Sequence, residues 1–79
     1  MKNTNHEIYY QQLGLNIAKY RRYRHYTQLQ LAELTYLSRT HISNIEAANI
    51  PTRLSLEAIF IISDALEIDP KLLFDFHDV

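Results

Sequence analysis

Seventy-nine residues, 47% of them hydrophobic, with one glycine, two prolines and no cysteine, describe one small folded domain near the lower limit for a self-sufficient core, and exclude a disulfide framework or a thiolate metal site. The net charge of −1 excludes a uniformly basic coat, but the charge is polarised: residues 1–50 hold six basic against three acidic side chains and residues 51–79 two against six, so one end suits a polyanion and the other water or a partner. The start, MKNTNHEIYY, has no apolar signal core, and the longest apolar run, 58–62, is far too short to cross a bilayer, so a cytoplasmic protein with no membrane contact is the expectation.

In chain order, Thr4 with Glu7 three residues on suggests a capping box that starts a first helix near Asn5. Leu13, Ile17, Tyr20 and Arg24 recur at helical spacing, which carries it to Tyr23 or Arg24, and Gly14 in mid-helix suggests close backbone packing. Thr27 is an N-cap for a second helix, QLQLAELT, with Leu31 and Ala32 inward. Ser38 is the N-cap of a third, 39–47, so short a turn after the second that the two must cross sharply. Asn49 is the residue best able to end it in a left-handed cap. After a loop, Ser55 opens a fourth helix whose buried stripe is Leu56, Ile59, Ile62, Ala65 and Leu66. Asp69-Pro70, an N-cap followed by proline at the first helical position, starts a short fifth with Leu72, Leu73 and Phe74. There is no strand pattern and no internal repeat, so the expected class is all-α, a five-helix domain.

The third helix poses a question. In TYLSRTHISNIE, residues 35–46, Leu37, Ile42 and Ile45 can share one side, while Ser38, Arg39, Thr40, Ser43 and Asn44 form a dense polar set on another. These are short hydrogen-bonding side chains and one guanidinium, not the long Lys and Glu that usually solubilise a helix. Such a face suits the DNA major groove, which admits a helix and offers donors and acceptors on base edges.

TQLQLAELTYLSRTHISNIE, preceded by LGLNIAKYR and followed by SLEAIFIISDAL, resembles the Cro/CI-type (XRE-like) helix-turn-helix DNA-binding domains of phage repressors and bacterial regulators, and the likeness spans about residues 13–74. The resemblance implies a lambda-repressor-like fold with a helix-turn-helix unit at about 27–47; residues 1–79 are expected to form one domain with mobile tails at 1–4 and 76–79. It implies that Arg39, Thr40 and Asn44 read bases. Gln28, Ser38, His41, Ser43, Asn49, Thr52 and Arg53 fall where the family makes phosphate or secondary contacts, and Arg21 and Glu46 match a structural ion pair. There are four departures from the pattern: Tyr36 stands in the turn where the family often has glycine, Thr35 replaces an apolar residue, Ala48-Asn49 stands in place of a glycine after the third helix, and Ile61 replaces a charge on the fourth.

Other chemistry finds little support. The tyrosines beside Arg21, Arg22 and Arg24 read as core (Tyr20, Tyr26) and half-buried surface rather than a stacking platform for single strands. His6, His25, His41 and His77 lack metal-ligand spacing, with His25 and His41 read as solvent-facing. No nucleophile–base pattern or glycine-rich phosphate loop is present. The expectation is therefore a sequence-specific double-stranded-DNA-binding transcriptional regulator, not an enzyme, without cofactor, metal or small-molecule effector. It is expected to act as a homodimer through Ile61, Phe74 and Phe76. The alternative is an antitoxin-like subunit whose helix-turn-helix mainly binds a partner protein.

Overall fold

Short polar side chains decide where this chain becomes helical. The computed structural model describes residues 6–50 and 52–76, and among them it contains four α-helices and no strand: α1 (Glu7–Tyr23), α2 (Gln28–Thr35), α3 (Arg39–Glu46) and α4 (Leu56–Leu66). A 3-10 helix, Pro70–Phe74, follows them. Thr27 Oγ1 accepts from the Gln30 N–H at 3.0 Å and the Gln30 side chain accepts from the Thr27 N–H at 2.8 Å, a reciprocal capping box. Ser38 accepts from the His41 N–H at 3.0 Å and Ser55 from the Ala58 N–H at 3.1 Å. His6 is the N-cap of α1 and makes no side-chain capping bond; the expected cap at Thr4 lies outside the described residues, as do 1–5, 51 and 77–79.

The expected fifth α-helix is not formed. Asp69 caps the start by accepting from the Lys71 N–H at 3.0 Å, and Pro70 fixes the first turn, but five residues allow too few i→i+4 bonds and the segment tightens to 3-10 geometry. Asn16, buried in α1, takes its far end: Nδ2 donates to the Leu73 carbonyl at 2.9 Å and to that of Asp75 at 3.1 Å. Among the described residues the class is all-α with four α-helices.

The core is one cluster: Leu13 and Ile17 from α1, Leu31 and Ala32 from α2, Ile42 and Ile45 from α3, Ile59, Ile62 and Leu66 from α4, and Leu73. Helix α1 packs against α3, α4 and the 3-10 helix, and α2 against α3 and α4. Gly14 lies against α3 so closely that a Cβ would stand 1.9 Å from the Ile45 carbonyl oxygen. Arg24 joins the ends of α1 and α4, with Nε donating to the Leu66 carbonyl at 2.7 Å and Nη2 to that of Glu67 at 3.0 Å. It thereby satisfies carbonyls that the end of α4 leaves open.

Four further expectations need correction. Helix α3 ends at Glu46, and Ala47 leaves it in an extended conformation (φ −75°, ψ 117°); Asn49 is not left-handed. Leu56 is 64% exposed rather than part of the buried stripe, because Leu54, on the loop before α4, packs on the core while Leu56 starts the outward face. Phe76, assigned to a loose tail, is half-buried on the core with its ring stacked on Tyr9 at 5.7 Å.

Candidate nucleic-acid interface

An ion pair holds the far end of α3. Arg21 Nε donates to Glu46 Oε2 at 2.7 Å and Nη2 to Oε1 at 2.9 Å, a two-pronged pair, while Nη1 donates to the Tyr26 carbonyl at 2.7 Å. The two side chains are only 11% and 4% exposed, so the pair lies largely out of solvent screening. Gln28 Nε2 also donates to Glu46 Oε1, at 3.1 Å. One carboxylate thus ties the end of α1, the start of α2 and the end of α3 into a single unit.

The near end of α3 is its open end. Ser38 is exposed and uses its hydroxyl as the cap; Arg39 and Thr40 follow it, both exposed. Arg39 lines a shallow depression with Arg21, Thr27, Gln28 and Leu29, so the first residues of α2 and α3 border the same surface. His41, Ser43 and Asn44 are half-buried, which corrects the reading of His41 as solvent-facing. Exposed polar side chains at the start of a helix, beside the N-terminus of a second helix, can donate to and accept from base edges and bind phosphate oxygens.

The loop after α3 divides its residues. Asn49 is exposed. The Thr52 hydroxyl donates to the Asn44 carbonyl at 3.1 Å and closes the end of α3, so it already has an internal acceptor. Arg53 is exposed and its guanidinium lies over the Tyr10 ring, 5.9 Å from the centroid, an arrangement that steadies a cation without neutralising it.

Several positions have bonds or exposure that the sequence pattern alone does not give. Thr35 is 3% exposed, and its hydroxyl donates to the Leu31 carbonyl at 2.8 Å, while Leu37 N–H donates to Thr35 Oγ1 at 3.3 Å. A threonine in a helix can return its hydroxyl to the preceding turn, which is how it replaces an apolar residue here. Leu29 is 52% exposed beside Arg39, on the face of α2 opposite its buried neighbour Leu31, as helical spacing requires of residues two apart. On α4 the half-buried Ile61 is outdone by Phe60, which is 47% exposed. Leu56, one turn before Phe60, borders an apolar cleft of about 460 Å³ whose walls include Tyr9, Tyr10, Phe74 and Phe76. No helix among the described residues is long and apolar enough to cross a membrane, and among them no three His, Asp or Glu side chains gather as a metal site.

Residues 17–73 match a family model described as helix-turn-helix. The chain is also similar to a solved structure, the restriction-modification controller protein C.AhdI from Aeromonas hydrophila, with a TM-score of 0.76 and 28% sequence identity over 82% of this chain and 96% of that one. No curated protein matches the chain. With the family match spanning most of the sequence and the caps, turn and ion pair falling inside it, the chain belongs to the Cro/CI-type helix-turn-helix family of DNA-binding transcriptional regulators.

Proposed function

We propose that the protein binds double-stranded DNA sequence-specifically in the cytoplasm, with α3 in the major groove, as a controller of transcription like the restriction-modification controller it resembles. The observation that carries this reading is the exposed Arg39-Thr40 pair at the capped start of a helix whose other end is clamped by Arg21–Glu46. A reading helix must be held rigidly, because hydrogen bonds to base edges tolerate little displacement. Arg39 suits guanine O6 and N7, Asn44 suits adenine, and the Thr40 methyl suits a thymine methyl. Phosphate contacts are assigned to the first N–H groups of α2 at Gln28, to Ser38, His41, Ser43 and Asn49, to the backbone around Thr52, and to Arg53.

One such domain makes few base contacts, so the reading includes a homodimer with two half-sites about one helical turn apart. Leu56, Phe60 and Phe74, which are 64%, 47% and 44% exposed, offer an apolar surface for it, together with the cleft that Phe76 and Tyr9 line. Ile61, half-buried beside Phe60, would sit at its margin. Residues 1–79 are taken as one domain, with no small-molecule effector.

Selection of bound sequences from a random duplex pool tests the function. Enrichment of one two-fold-related motif supports it. No enrichment, with stoichiometric co-purification of another protein, would support the antitoxin-like reading instead.

A further inference from the structure

Tyr36 occupies the turn between α2 and α3 with φ 61° and ψ 17°, a left-handed conformation that glycine adopts freely and a bulky side chain resists. His25 and Glu67 are the other left-handed residues described, and each sits in a turn closed by hydrogen bonds: Tyr26 N–H to the Arg21 carbonyl beside His25, and Ile68 N–H to that of Ser63 beside Glu67, whose own carbonyl also receives Arg24. Around Tyr36 the turn is held by its neighbours. Thr35 bonds back into α2 and accepts from Leu37 N–H, and Leu37 packs on the core. The Tyr36 side chain is 96% exposed, so the folded chain gains nothing from its ring and bears the strain of its backbone. It leaves the fold two residues before Ser38, the cap from which Arg39 and Thr40 emerge.

We propose that Tyr36 is a further DNA-contacting residue, whose phenol donates to a backbone phosphate at the edge of the groove entered by α3. The proposal rests on the DNA-binding reading above and adds a contact that helical periodicity cannot reveal, since the residue lies outside both helices. With Arg39 and Thr40 in the groove as proposed, an exposed side chain in the turn two residues before their cap is within a short span of the flanking backbone, where phosphates lie. A phenolic O–H to an anionic oxygen is a charge-assisted bond that fixes register without reading sequence.

The test titrates wild type, Tyr36→Phe, Tyr36→Gly and Arg39→Ala on the selected duplex and a scrambled one, at two salt concentrations, with thermal melts of each protein. Tyr36→Gly should melt higher than wild type, because the strain is relieved, yet bind both duplexes about tenfold more weakly, the scale of one hydrogen bond to a charged group. Tyr36→Phe should keep the wild-type melt and show the same loss, with the salt slope unchanged because a phenol displaces no counterion. Wild-type affinity in Tyr36→Phe overturns the contact. A loss confined to the selected duplex assigns the phenol to a base and overturns the phosphate. If wild type binds neither duplex, the DNA-binding reading itself falls, and this contact with it.

Discussion

Glu46 accepts from Arg21 twice and from Gln28 once, all at a site with almost no solvent access. Removing its carboxylate would strand a buried guanidinium, and breaking such a pair typically costs about 3–5 kcal/mol. A domain of this size has roughly 5–10 kcal/mol in total. Glu46→Ala should therefore show a large fall in the urea midpoint; an unchanged midpoint would mean that Arg21 finds water or another acceptor. Gly14 gives a test of opposite appearance. Alanine favours helix by about 1 kcal/mol over glycine, yet its Cβ would meet the Ile45 carbonyl at 1.9 Å. Overpacking of that kind typically costs about 1–3 kcal/mol, so Gly14→Ala should lower the melting temperature, and a rise would show that α1 and α3 can separate freely.

At the scale of elements, legibility followed local chemistry. Thr27, Ser38, Ser55 and Asp69 mark their segment starts in the sequence because capping is a contact within three residues. The ends were harder: Glu67 closes α4 in a left-handed conformation that no sequence signal marked, while Asn49 has the right chemistry and does not adopt it. The sequence does not separate a 3-10 helix from an α-helix at 70–74, because over five residues the two differ in hydrogen bonds and scarcely in side-chain spacing. Asn16 was invisible for another reason, since its partners Leu73 and Asp75 are more than fifty residues away. It predicts how the last segment is held. Asn16→Ala removes two hydrogen bonds to main-chain carbonyls, one of them buried, and should destabilise the fold by about 1–3 kcal/mol. Amide exchange should accelerate first over 70–76, whereas uniform acceleration would mean that the segment does not open separately.

At the scale of the molecule, the proposed reading surface and the exposed apolar surface fall on different elements. The residues assigned to bases lie on α3, while the exposed apolar side chains Leu56 and Phe60 lie on α4 and Phe74 on the 3-10 helix. Phe60→Glu should therefore lower the sedimentation coefficient at micromolar concentration without altering the fold; an unchanged coefficient would remove α4 from the interface. The placement of α3 in the major groove is tested most directly by titrating Arg39→Ala and Arg53→Ala on selected and scrambled duplexes at two salt concentrations. A bidentate pairing with guanine is worth about 1–3 kcal/mol of discrimination, so Arg39→Ala should weaken the selected duplex roughly ten- to a hundredfold and the scrambled one far less. Arg53→Ala should weaken both alike and reduce the salt slope by about one, as loss of a phosphate contact does. Equal losses on the two duplexes for Arg39→Ala would confine that side chain to the backbone and contradict the placement of α3 in the major groove.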